Sequence, residues 1–174
     1  MVYLIIFLAV LARFIPHVWN FSPVYGALLF GGARLKKHTS LWFPTLLLGI
    51  SDVILSDVWY HIHIGWREAF QLAAFAAIPL CGWSLRKRFT AARFGASCFA
   101  GPTAFYFISN FGVWLGWHTY PATWDGLIQC YVAGIPFYGY SLASTSLFAG
   151  ILFGLFEYFQ LRQTLRHHAA LRVN

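Results

Sequence analysis

"FAAIPLCGWSLRKR", Phe75 to Arg88, is an apolar run that stops on three cations. Such a stop reads as a membrane-spanning helix reaching an interface, because Lys and Arg gather where a span leaves the hydrocarbon on the cytoplasmic side. The rest of the chain agrees: of its 174 residues 59% are hydrophobic, 20% aromatic and only 10% charged, whereas soluble domains carry about 25% charged residues. An all-α integral membrane protein is expected. The length suits a six-transmembrane-helix bundle, at roughly 20 residues per span with short connections, and leaves no room for a soluble domain.

Hydropathy places the spans near 2–15, 23–35, 40–56, 67–85, 90–117 and 134–160. The second, about 13 residues long, is too short to cross unaided and is expected to be tilted, broken or shielded by its neighbours. No cation precedes the first run and no small-residue cleavage site comes before Arg13, so it reads as a retained helix rather than a signal peptide. The expected organisation is one transmembrane domain over 1–162 and a flexible basic tail over 163–174.

The net charge of +7 raises nucleic acid as a partner, but the cations cluster beside apolar runs rather than along a polar face. They point to a lipid bilayer, and no nucleic acid is expected. Arg34, Lys36, Lys37, Arg86, Lys87, Arg88, Arg93, Arg162, Arg166 and Arg172 fall on one side, and Arg13 and Arg67 on the other. Ten against two predicts both termini in the cytoplasm.

The three connections opposite the cations, Pro16 to Pro23, Asp57 to Trp66 and Trp117 to Tyr140, are chemically the richer ones. They hold His17, His61, His63 and His118, four of the seven histidines. Trp19, Trp59, Trp66, Trp114, Trp117 and Trp124 lie at or near this side, and only Trp42 and Trp83 toward the other. An interfacial aromatic belt is one reading, but a belt is roughly symmetric; the excess points to an aromatic-walled pocket opening outward. Trp19, Asn20, Trp59, Tyr60, Trp66, Trp114 and Trp124 are its candidate substrate-binding residues, with Gln71 and Asn110 from within the spans. Ser51, Asp52, Glu68, Gln71 and Asn110 are costly against lipid, so they face the bundle interior or a ligand. The charged ones pair between helices in the plainer reading, Arg13 with Asp52 or Glu68, and Glu157 with the cations of the basic side. His61 and His63, two apart, lack the spacing of a metal motif and read as interfacial. The sequence has no nucleophile elbow, phosphate loop, HExxH or paired catalytic carboxylates.

Cys81, Cys98 and Cys130 are odd in number and unpaired in spacing, so neither a disulfide framework nor a zinc site is expected, and packing is the default role of each. Cys81 shares a helical face with Ala77, Ile78, Ala74, Phe70 and Gln71. A face this small admits a neighbouring helix, through Ala73 and Ala77, or leaves room for a ligand. Pro79 removes a backbone hydrogen bond, which fits a widened cavity or a simple kink.

"RFIPHVWNFSPVYGALLFGGARL" (Arg13 to Leu35), "ISNFGVWLGWHTYPATWDGLIQCYVAGIPF" (Ile108 to Phe137) and "SLFAGILFG" (Ser146 to Gly154) are similar to small six-helix bacterial membrane proteins, the substrate-binding S-components of energy-coupling-factor vitamin transporters. Within them the chain most resembles the solitary BtuM-type cobalamin transporters. The resemblance implies a location in the bacterial inner membrane and transport of cobalamin (vitamin B12), bound toward the outer side by helices together with the first, third and fifth connections. It also implies a cysteine ligating the cobalt, and Cys81 is the best match; a soft thiolate there could displace an axial ligand and labilise the opposite one, a decyanation. A periplasmic supplier or an energising ATPase module would be the partners. Docking on such a module uses Ala-x-x-x-Ala on the first helix, whereas this chain has Ala9 and Ala12, three apart, so docking through that pattern is not expected.

Depth weighs against Cys81: from a helix start near Arg67 it lies about 14 residues and roughly 20 Å along, nearer the cytoplasmic side. Two alternatives stay open. One is the same fold carrying another small vitamin or metal chelate, with Cys81 as packing. The other is a membrane redox protein holding haem or quinone, which needs histidines facing each other from separate helices, whereas the four on this side all fall in connections.

Overall fold

A computed structural model describes residues 2–15, 20–59, 65–66, 68–117 and 119–171. The described residues form six α-helices and no strand: α1 (Val2–Leu11), α2 (Pro23–Arg34), α3 (Lys37–Val53), α4 (Glu68–Gly82), α5 (Ala91–Gly116) and α6 (Trp124–Leu171). Tight 3-10 turns extend α1 over Ala12–Phe14 and α4 over Trp83–Leu85, and a π-helical turn, Ile54–Trp59, extends α3. Lys37–Ser56, Glu68–Leu85 and Trp124–Thr164 are each long and apolar enough to cross a membrane, and Val2–Phe14 is a shorter apolar helix.

Helix starts follow local capping chemistry. Ser22 accepts the Val24 N–H at 3.4 Å, with Pro23 in the first turn. Thr90 accepts the Arg93 N–H at 3.2 Å and starts α5, and Thr123 does the same for Gly126 at 3.2 Å and starts α6. The last helix therefore begins at Trp124, not near 134, and the connection expected from Trp117 to Tyr140 shrinks to the residues before it. At its other end α6 continues to Leu171, so the stretch expected as a tail from Gln163 is helical as far as that residue. Residues 161–171 contain neither Gly nor Pro and are rich in Leu, Arg, Gln and Ala, which favour helix.

The short second helix sits in the middle. α2 packs against all five other helices, and every residue from Val24 to Gly32 is buried. Of the three expected ways to accommodate a short span, shielding by neighbours is the one observed. Its glycines bring backbones together: a Cβ on Gly26 would lie 2.6 Å from the Ala149 nitrogen, and one on Gly32 would lie 2.7 Å from the Pro79 Cα. Gly82 answers from α4, where a Cβ would lie 3.1 Å from the Gly32 Cα. The small face of α4 thus admits a helix. Ala74 and Ile78 are fully buried in the core that also contains Leu28, Leu29 and Phe105, and Pro79 lies at the α2 crossing.

Polar contacts distinguish the two ends of the bundle. At one, Arg34 pairs with Glu157 and lies 4.3 Å over the Phe156 ring, Arg86 donates to the Leu35 carbonyl, and the Lys37 ammonium lies 5.1 Å over the Trp83 ring. Cations from α2, from α3 and from just beyond α4 are therefore gathered at one end. Toward the other, Arg13 donates to Asp52 at 2.5 Å and to Ser51 at 2.7 Å, with its guanidinium 5.4 Å from the Phe75 ring centroid. Asp52, of the two carboxylates weighed in the sequence, is the one paired with Arg13; its second oxygen is buried without a hydrogen bond.

Candidate functional site

α2 spans only 12 residues, about 18 Å, against 26 residues and about 39 Å for α5. Its start is fixed deep in the bundle: Ser144 of α6 donates to the Asn20 carbonyl at 3.3 Å, and Gly26 meets Phe148 and Ala149. The first turns of α4 and α6 and the last turns of α5 consequently rise past α2 with no central helix between them.

A cavity of about 190 Å³ occupies that space. Gln71 enters from α4; Phe105, Tyr106, Ser109, Asn110 and Val113 from α5; Gly134, Phe137, Tyr138 and Ser141 from α6; and Asn20 from below. Asn20 has φ 59°, the left-handed region that Asn tolerates better than most residues. Among the lining residues none is charged.

The hydroxyls of the wall are held by the wall. Tyr106 donates to the Tyr131 carbonyl at 2.5 Å, the Tyr138 hydroxyl lies 2.8 Å from Thr103 Oγ1, and Ser141 donates to the Phe137 carbonyl at 3.0 Å. The Tyr106 and Tyr138 rings lie 4.9 Å apart. Asn110 donates through Nδ2 to the Tyr106 carbonyl at 2.8 Å. The Gln71 carboxamide has no hydrogen bond among the described residues. The arrangement can bind a small polar solute; it holds no nucleophile with a base, and no group of three His, Cys, Asp or Glu able to hold a metal occurs among the described residues.

Three of the residues singled out from the sequence, Asn20, Gln71 and Asn110, thus meet in one cavity. Of the tryptophans, Trp66, Trp114 and Trp124 do not join them. Trp66, Phe70, Phe111 and Trp114 form a ladder of rings with centroids 6.0, 5.9 and 5.7 Å apart, and the Trp114 N–H donates to the Pro121 carbonyl at 2.9 Å. Trp124 is 80% exposed. An aromatic wall exists, but phenylalanines and tyrosines build it. Trp19, Tyr60, His17, His61, His63 and His118 lie outside the described residues, as does the side chain of Trp59.

Cys81 does not line this cavity. It is half-buried against the core, ten residues and about 15 Å along α4 from Gln71, with Ala77 half-buried one turn before it. Cys98 and Cys130 are buried, and the Cys130 thiol lies 3.4 Å from the Asn110 carbonyl it donates to. Tyr106, Ser109, Gly134, Tyr138 and Ser141 were not singled out in the sequence. Their signal was periodic: 105, 106, 109, 110 and 113, and 134, 137, 138 and 141, each follow the three-and-four spacing of one helical face. Reading Trp117 to Tyr140 as a connection hid most of the second set.

A family model described as a family of unknown function (DUF6580) matches residues 1–169. No curated protein and no solved structure matches.

Proposed function

We propose that this chain, which belongs to the DUF6580 family, is a solute-binding transport protein of the bacterial inner membrane, built as a six-span bundle like the S-components of vitamin transporters. Both termini face the cytoplasm, as the gathered cations favour, and the solute enters from the opposite side. The observation that carries this reading is the uncharged polar cavity left where α2 stops short, at the end away from the cations. Cobalamin is the ligand implied by the resemblance, with Cys81 as the cobalt ligand and as the thiol that removes an upper ligand. No energising module docks through an alanine pattern on α1, since Ala9 is buried beside Ala27 and Leu35 in the interior.

The cavity volume favours a second ligand reading. About 190 Å³ is below the roughly 300–1,000 Å³ of most small-molecule sites, so a corrin must part the ends of α4, α5 and α6 to approach, whereas a smaller vitamin needs no such opening. In that case Cys81 is packing.

The visible spectrum separates the two. Protein purified from cobalamin-fed cells is expected to carry a corrin band, and Cys81→Ser to change that band and weaken binding about tenfold or more, equivalent to about 1.4 kcal/mol, while the fold survives. Serine keeps the volume but is a poor replacement for a soft thiolate. Cys98→Ser and Cys130→Ser serve as controls expected to be silent. A parent chain without a corrin band would leave the smaller solute as the ligand.

Sidedness is open to an independent check. Cysteines introduced at Trp59 and Trp124 should react with an impermeant maleimide from outside and be protected by substrate, and those at Lys37 and Arg88 should react only from the cytoplasmic face. The reverse pattern would invert the orientation.

A further inference from the structure

Three carboxamides, Asn20, Gln71 and Asn110, line the cavity beside hydroxyls that are mostly bonded to neighbouring groups. Gln71 reaches it from α4 and Asn110 from α5, two helices that pack together along their length. Gln71 is half-buried and has no hydrogen bond among the described residues, so its two donor protons and acceptor oxygen are open to solvent and stand ready for a guest. Asn110 donates to the Tyr106 carbonyl, so its oxygen is left as an acceptor. Gly134 of α6 faces it, and a Cβ there would stand 2.6 Å from Asn110 Oδ1, so only glycine lets that amide lie against α6 at the cavity wall.

The chemistry of a matching guest follows. A carboxamide presents a donor and an acceptor side by side, and another carboxamide satisfies both at once, in the way Asn and Gln read complementary edges elsewhere. A carboxylate guest would supply only acceptors and would bring a charge into a wall whose described residues offer no counter-charge. The volume, on the order of six waters at about 30 Å³ each, admits one amide-bearing arm or one small ring and excludes a whole macrocycle.

We infer that this cavity recognises an uncharged carboxamide through Gln71 and Asn110. The inference rests on the proposed function in taking the cavity as the ligand site. Two sources share the chemistry: a peripheral amide arm of a corrin, or a small free aromatic amide.

Matched pairs that differ only in amide against acid test it on the full-length protein in detergent, by equilibrium binding and thermal unfolding. One pair is cobalamin and a cobalamin with a peripheral amide hydrolysed to the carboxylic acid; the other is nicotinamide and nicotinate. The amide member of at least one pair should bind about tenfold or more tightly than its acid, and Gln71→Leu should erase that preference. Asn110→Leu is the second variant, and the unliganded unfolding midpoint of each confirms that it folds. Preference within the cobalamin pair assigns the corrin arm, and preference within the nicotinamide pair alone assigns the free amide and removes the corrin reading. Equal binding of acid and amide in both pairs, a preference that survives Gln71→Leu, or no binding of any of the four compounds would overturn the inference. A corrin band with equal binding of both cobalamins would overturn it while leaving the transport reading intact.

Discussion

Gly32→Ala is expected to prevent accumulation of folded protein. The new Cβ would sit 2.7 Å from the Pro79 Cα and closer still to the Pro79 carbonyl oxygen. Both are main-chain atoms of α4, so no rotamer change relieves the clash. The two helices must separate, and they cannot do so locally, because a Cβ at Gly82 would already be in close contact with the backbone at Gly32 and Ala33. Overpacking an ordinary core costs about 1–3 kcal/mol; with backbone on both sides the loss should exceed that range and consume a large part of the stability of a domain this size. Gly154→Ala is the matched control: nothing lies within 4 Å of its Cβ position, and replacing a mid-helix glycine should gain about 0.5–1 kcal/mol. Yield of monodisperse protein and the unfolding midpoint in detergent measure both. A well-behaved Gly32→Ala protein would mean that the α2–α4 crossing is looser than described.

The second large effect is expected from Arg13→Ala. Its guanidinium is the partner of Asp52, and side-chain exposures of 16% and 12% leave little solvent to take its place. One Asp52 oxygen already lacks a hydrogen bond, so removing Arg13 strands the carboxylate. Breaking a buried pair from one side costs about 3–5 kcal/mol, whereas replacing both partners with apolar groups is often neutral or better. Arg13→Met together with Asp52→Leu should therefore recover most of what Arg13→Ala loses, and a double-mutant cycle on unfolding midpoints reads the coupling. A single-variant loss below about 1 kcal/mol would place the pair with exposed ion pairs.

Much of the architecture was legible because membrane helices announce themselves by composition. Apolar runs stopped by Arg34, Lys36, Lys37 and Arg86 marked one end of the bundle, and the brevity of the second run left a tilted, a broken or a shielded helix as the choices, of which the packing around α2 shows shielding. The start of α6 was not legible. Gly134 and Pro136 read as a loop, yet in a bundle of packed neighbours an internal proline is tolerated, and Pro44, Pro79, Pro102 and Pro136 all lie inside helices. For the site, the sequence singled out polar residues that are costly against lipid, and Gln71 and Asn110 do face a cavity. Trp66 and Trp124 are large enough to catch attention and stand 60% and 80% exposed, while the wall is built from Phe105, Tyr106, Phe137 and Tyr138. The cavity depends on how high α2 stands relative to α5 and α6, a vertical offset that no spacing within one helix encodes.

The brevity of α2 also bears on how the protein is made. A segment of 12 residues reaches about 18 Å, short of the roughly 30 Å of hydrocarbon that an independently inserted helix must cross. It can enter only as half of a hairpin, with α1 or with α3, and wait there with an unfinished surface. The contact that covers Gly26 comes from Phe148 and Ala149 of α6, which are synthesised well after α2. The middle of the molecule is thus made before the helix that covers it, and a nascent chain cut short before α6 would expose its central glycines to the proteases that patrol the membrane.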